Sequence, residues 1–303
     1  MGGPGRCVRR TQELQARLLD EMTAQLGVGD DGREIEDALL REVNPRPAAI
    51  LLVCWSLGIV VLPARTAAQE QPLHTRLKLG LGYDFTTGTY GSSERTDISY
   101  LPLTVHGEVD LWTLKLVVPY IRIDGPGGFI DGPNGPIATE SGVSEGLGDI
   151  IASGTYTLLP LASWMPFIDL IVRIKFPAAD ESKGLGTGEF DYTLETEIAH
   201  TFGKLTPLAS LGYRFVGSPS GTNLNDVVLA SAGGVYQVID PLSLGVVFDY
   251  RQAAARSSDG RRELVPFATW TVSPHWTTSL YTVVGFSNAS PDAGVGAQLS
   301  YTL

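Results

Sequence analysis

Ionised side chains at every second position are the feature of this sequence that could do chemistry. Between 165 and 202, Asp169, Arg173 and Lys175 alternate with Ile168, Leu170, Val172, Ile174 and Phe176. After a Gly-rich break, Asp191, Glu195 and Glu197 alternate with Tyr192, Leu194 and Ile198. Lys115 lies between Leu114 and Leu116, Arg214 follows Tyr213, Asp149 closes a Gly-rich turn, and Asp249 and Arg251 flank Tyr250. A strand sends successive side chains to opposite faces, so each segment has one apolar face and one face carrying full charges. Charges of both signs on an enclosed face suit two roles. They select a diffusing solute in water, or they pair into an ionic network that fills a narrow barrel. Lys115, Asp149, Asp169, Arg173, Lys175, Asp191, Glu195, Glu197, Arg214, Asp249 and Arg251 are therefore candidate lumen-lining, substrate-binding residues, and both roles stay open.

Other chemistry finds less support. The run 184–188, GLGTG, has the glycines of a phosphate cradle but lacks its Lys-Ser/Thr ending and a following helix, which favours a flexible strand connection. Asp124 and Asp131 precede Gly-Pro turns, with too few carboxylates at ligand spacing for an EF-hand. They belong to a long outer loop, free to fold into a pore mouth or to move. His74, His106, His200 and His275 include no i,i+4 pair for zinc, and no Ser nucleophile motif surrounds His200. The residues thus predict no catalytic site, no metal and no cofactor.

Twelve segments carry strand patterning, near 73–86, 96–107, 111–123, 146–158, 165–177, 189–201, 205–217, 226–238, 241–253, 262–273, 275–287 and 291–303. Each is long enough for the roughly 9–11 residues of a tilted membrane-crossing strand. The second, eighth, tenth and eleventh alternate poorly, and Pro102 and Pro266 suggest a bulge or a boundary in the second and tenth. Short connectors alternate with longer ones, as on the two rims of an outer-membrane barrel, and an even strand count leaves both termini on the short-turn, periplasmic side. Only closure bonds every strand backbone group inside hydrocarbon. The fold expected is all-β: a closed antiparallel transmembrane β-barrel of about 12 strands over 69–303, preceded by a helical leader and a signal peptide.

Length and charge agree. The chain has 303 residues and a formal net charge of −11, with no basic stripe for nucleic acid. The mean hydropathy of +0.08 is too low for a helical membrane protein, and barrels escape hydropathy because alternate residues are polar. The region 1–45 is charged and places Leu14, Leu18, Met22 and Leu26 at helical spacing. It reads as a partner-binding helix or as a translation start assigned too far upstream. The region 46–68 has the parts of a signal peptide: Arg46, an apolar run at 48–62, then Thr66, Ala67 and Ala68 before a cleavage point. Cys7 and Cys54 both precede that point, so the exported chain carries no thiol.

The succession of Leu116, Val117, Val118, Pro119 and Tyr120, then Gly146, Leu147, Gly148 and Asp149, then Lys175, Phe176 and Pro177, then the run 183–191 resembles the meta-pathway of phenol degradation family of outer-membrane transporters. The resemblance covers roughly 75–303. It implies a barrel and, by the family's name, uptake of aromatic compounds; the helical leader departs from the family pattern. The combined expectation is a non-enzymatic channel in the Gram-negative outer membrane for passive uptake of small, aromatic or hydrophobic solutes. Its partners would be outer-membrane lipid, the barrel-assembly machinery and the solute, with no nucleic acid. An outer-membrane lipid-modifying enzyme and a closed structural or adhesive barrel are the alternatives.

Overall fold

Antiparallel strands with one apolar and one polar face can pack as a sandwich or close into a ring, and only the ring leaves no edge strand. The computed structural model describes residues 76–303 except 133, 134, 140, 163 and 257. The leader at 1–45 and the signal at 46–68 lie outside the described residues. The strands are β1 (Arg76–Gly88), β2 (Thr96–Val109), β3 (Trp112–Gly125), β4 (Gly128–Gly132), β5 (Gly135–Thr139), β6 (Gly142–Leu147), β7 (Ile150–Leu158), β8 (Phe167–Phe176), β9 (Asp191–Ala199), β10 (Leu205–Phe215), β11 (Val227–Ile239), β12 (Leu242–Arg251), β13 (Arg261–Thr271), β14 (Trp276–Gly285) and β15 (Ala293–Thr302).

All strands except β4 and β5 form one antiparallel sheet. Each pairs with its sequence neighbour, and β1 pairs with β15, which closes the ring. β6 and β7 are two halves of one barrel strand, because β3 pairs with both, leaving twelve staves. The fourth stave therefore begins at Gly142 rather than at 146, and Gly148–Asp149 is a break within it, not its start. Gly148 N bridges the break by donating to Pro119 O at 2.9 Å. β4 and β5 form a separate hairpin inside the connection from β3 to β6.

The prolines disturb the sheet less than the sequence suggests. Pro102 and Pro266 sit inside β2 and β13 with no register shift. The β1–β2 ladder passes from Leu81↔Leu103 to Asp84↔Tyr100, and the β13–β14 ladder from Leu264↔Val284 to Phe267↔Tyr281, each in constant register. A missing N–H removes ladder bonds at one place, and pairing resumes beyond it.

The outer face is apolar from rim to rim, with Leu81, Leu103, Leu114, Leu194, Leu211 and Leu280 all more than half exposed to their surroundings. Aromatics collect at both ends. Trp112, Tyr236, Trp270 and Trp276 ring the short-turn end, where Trp112 packs on Tyr156 and Trp276 on Tyr301 with centroids 4.9 and 4.8 Å apart. Tyr83, Tyr120, Tyr192, Tyr213 and Phe215 stand outward toward the long-loop end. Such belts match the two interfaces of a bilayer.

Candidate functional site

Strand register sorts the inward side chains into rows that run across the wall. One row reads Lys115, Ser153, Arg173, Thr193 and Arg214 on β3, β7, β8, β9 and β10. Four residues closer to the short-turn rim on β8, a second row reads Asp169, Glu197, Ser210, Ser231, Asp249 and Glu263. Between them lie Glu195, Gly212, Leu229, Arg251 and Arg261. Basic and acidic stripes thus run side by side around part of the lumen. Ten of the candidate residues are enclosed: Asp149, Asp169, Lys175, Asp191, Glu195, Glu197, Arg214, Asp249 and Arg251 are buried, and the Arg173 side chain is only 11 % exposed. Lys115 is half-buried and shares the inward parity of Thr113 and Val117.

Contacts between the rows are direct. Lys175 Nζ lies 3.2 Å from Asp149 Oδ2 and 3.3 Å from Asp191 Oδ2, and donates to Thr187 Oγ1 at 3.0 Å. Arg173 Nη2 meets Glu195 Oε2 at 3.2 Å, and Arg261 Nε donates to Glu263 Oε1 at 2.6 Å. Asp169 and Glu197 oppose each other directly across β8 and β9. The oppositely charged pairs and hydroxyls form a preorganised polar surface, whereas the like-charged Asp169 and Glu197 each keep a buried oxygen, Oδ1 and Oε2, with no hydrogen-bond partner among the described residues.

Beside the charged stripes the wall turns apolar. Leu208, Val235, Val247, Val265, Phe267, Tyr281 and Val283 form one cluster on β10 to β14. Two of its rings lie over glycines on the neighbouring strand. A Cβ on Gly245 would meet Phe267 Cζ at 2.0 Å, and one on Gly296 would meet Tyr281 Cζ at 2.1 Å. Each ring and glycine are direct cross-strand partners. The glycines therefore let the rings lie flat on the wall instead of projecting across the lumen.

Two connections close over the long-loop end. Arg251 Nη1 and Arg261 Nη1 both donate to Gly132 O, at 3.0 and 2.9 Å, so the β4–β5 hairpin is folded inward against the wall. Its Ile130 and Ile137 join Ile98, Tyr100, Ile121, Ile123 and Tyr90 in a second apolar cluster. The Gly-rich run 184–188 is a packed segment, not a loose connection. Asp180 caps the 3₁₀ turn Glu181–Lys183, and Gly184 takes φ 64° just after it. That turn drives Leu185 and Thr187 inward, to 2 % and 1 % exposure. A small pocket remains between hairpin, turn and wall, lined by Tyr100, Pro119, Ile121, Ile137, Leu185 and the Lys175–Asp149 pair.

Alternation along the first strand turns Lys78 inward, and it is buried there; His106, Arg261 and Glu263, which the sequence did not single out as lumen residues, are also buried on the inner face. β2 and β13 alternate poorly in sequence because Ile98, Tyr100, Val265 and Phe267 face inward as well. His200 Nδ1 contacts Met165 O at 3.1 Å and His275 Nδ1 contacts Thr302 O at 2.9 Å, so both rings are tied to backbone at the short-turn rim.

Comparison with known proteins settles the lineage. The family model described as "Putative MetA-pathway of phenol degradation" matches residues 73–303. The chain belongs to this family. The COG4313 outer membrane channel from Pseudomonas putida F1 superposes with a TM-score of 0.62 at 12% identity, covering 79% of this chain and 100% of that one. The KdgM porin aligns at a TM-score of 0.48 and 8% identity, covering 74% and 98%. The translocator domain of the autotransporter NalP from Neisseria meningitidis aligns at 0.46 and 10%, covering 75% and 87%. No curated protein shows significant sequence similarity to the chain. The family member has the fold of an outer-membrane channel.

Proposed function

We propose that this family member is a passive outer-membrane channel for small solutes, with the long loops outside the cell and the short turns in the periplasm. The observation that carries the reading is the apolar cluster of Leu208, Val247, Phe267 and Tyr281 on an inner wall. Rings laid flat over cross-strand glycines pin the register of a sheet in any barrel. Here they also suit a path for apolar or aromatic solutes, because flat rings give a greasy surface while leaving room beside it. The neighbouring charged stripes keep the rest of the path wet, so a solute of mixed character would slide with its apolar side on β10 to β14. Association with an aromatic substrate accords with the family's description.

The inward hairpin favours a second reading, a barrel closed at one end, because Gly132, Ile130 and Ile137 occupy space a solute would cross. Planar-bilayer recording from the refolded barrel separates the two. A channel gives discrete conductance that a small aromatic solute perturbs. A closed barrel gives none, and gains it only when 128–139 is removed. Activity of the barrel on lipid would instead point to the enzyme alternative.

A further inference from the structure

Ion pairing divides the lumen unevenly. On β8 and β13 the basic residues have acids beside them: Lys175 touches two carboxylates, Arg173 touches Glu195 and Arg261 touches Glu263. β1 to β3 differ. Register sets Lys78 opposite His106 and His106 opposite Lys115, so three basic side chains occupy one inward row on adjacent strands. Directly opposed residues have Cβ atoms about 4.5–5.5 Å apart, close enough for their tips to converge on one ligand. Among the described residues no carboxylate lies within the 4.0 Å of an ion pair from Lys78 or Lys115. Glu108, at the strand end, acts on Lys78 from beyond that distance.

The hydroxyls that flank the row are donors in the same condition. Thr104, two residues from His106, and Thr113, two residues from Lys115, are 1 % and 3 % exposed, and neither Oγ1 has a hydrogen-bond partner among the described residues. Gly80, two residues from Lys78, has no side chain to fill the space, and the Thr104 hydroxyl lies over it. Enclosed cations and hydroxyls without acceptors are unfavourable unless an anion or water meets them. The nearest acid is Glu108, two residues from His106 and opposite Thr113 in register, and it forms no ion pair with Lys78 or Lys115; the other acids of a chain with net charge −11 stand elsewhere.

We propose that Lys78, His106 and Lys115, with Thr104 and Thr113, form a binding site for the carboxylate of a small solute in the short-turn half of the lumen. Val117, opposite Thr104 and facing inward, gives the row an apolar margin. That combination suits one anionic head on an apolar body better than a polyanion. The inference rests on the reading of the lumen as a solute path, and it adds a site that an apolar path alone does not require.

The test measures binding apart from conduction. The refolded barrel in detergent is titrated calorimetrically with benzoate and with neutral benzyl alcohol, for the unaltered chain, for Lys78→Gln/Lys115→Gln and for Lys78→Arg/Lys115→Arg. The rim variant Lys204→Gln serves as control. Saturable benzoate binding that weakens at least tenfold in the Gln pair, and persists in the Arg pair and the control, is the expected result. Benzyl alcohol should give the same isotherm with all four proteins. Equal benzoate affinity in the unaltered chain and the Gln pair overturns the proposal, as does benzyl alcohol competing at the same site. Should the Gln pair fail to fold by heat-modifiable migration, Thr104→Val/Thr113→Val replaces it with the same expectation. Bilayer recording on the same preparations keeps the readings apart: conduction without benzoate binding defeats this inference alone, and binding without conduction defeats the channel.

Discussion

Lys175 Nζ sits 3.2 Å from Asp149 Oδ2 across the break in the fourth barrel stave, and the same ammonium lies 3.3 Å from Asp191 on the other side. Asp149 also accepts from Ala179 N at 3.1 Å, so one buried knot ties the stave break, β8, β9 and the start of the inward turn. Removing the cation strands two buried carboxylates, whereas removing all three charges leaves nothing unpaired. Lys175→Met should lower the unfolding free energy by about 3–5 kcal/mol. The Lys175→Met/Asp149→Asn/Asp191→Asn combination should recover most of it. Urea unfolding in micelles, followed by gel migration, reads both.

The hairpin makes a second prediction. Two guanidinium groups share Gly132 O, and a hydrogen bond to a charged group contributes about 1.5–3 kcal/mol. Arg251→Gln/Arg261→Gln should loosen β4 and β5 while the staves stay paired. Bilayer conductance should then rise or grow noisier at unchanged heat-modifiability, and removal of 128–139 should give the same change without the substitutions. Conductance identical to the parent in both would mean the hairpin does not narrow the path.

Much of this was legible in the sequence, for a physical reason that also marks where legibility stops. Where lipid outside meets charge inside, as on β8, β9 and β12, period two declares both the strand and its facing. Where the inner face is itself apolar, as at Ile98, Tyr100, Val265 and Phe267, both faces look alike, and Arg261 and Glu263 escape notice. Turn residues at 124–136 announce a loop but not its direction, because the Arg251 and Arg261 contacts to Gly132 span 119 and 129 positions. Lys175 was readable as an inward cation. Its partnership with Asp149 was not, because it depends on a break that glycine spacing makes look like a strand beginning.

Flat aromatic packing can be tested at one atom. A methyl at position 245 would fall 2.0 Å from Phe267 Cζ, so Gly245→Ala must push the ring off the wall and toward the axis. Overpacking of this kind costs about 1–3 kcal/mol. Stability should drop by that amount and conductance should fall. Gly245→Ala/Phe267→Leu should restore both.

The outer face predicts the response of the membrane anchor. Leu211 is 63% exposed in the middle of β10. If it faces acyl chains, Leu211→Arg should lose about 2–4 kcal/mol in folding into vesicles, the cost of an arginine at mid-depth on a barrel. Leu303→Arg, at the short-turn rim, should lose about 1 kcal/mol or less. Equal losses at the two positions would place the belt elsewhere.

Tyr90 reports the long-loop end through its ionisation. Its ring is 5 % exposed in the connection after β1, its hydroxyl donates to Thr86 Oγ1 at 2.6 Å, and burial pushes its pKa up to about 12. In the folded barrel the phenol therefore stays neutral where an unfolded tyrosine, with a pKa near 10, has ionised. The unfolded state then binds fewer protons, so the stability Tyr90 contributes is complete below about pH 10 and is lost as pH rises toward about 12. Absorbance titration should show one late phenolate step that disappears in Tyr90→Phe, and the substituted barrel should lose less stability between those pH values than the parent. A titration in which Tyr90→Phe removes a step near pH 10 would mean the ring is open to water, and the cluster around Ile98 and Ile137 would not be closed over it.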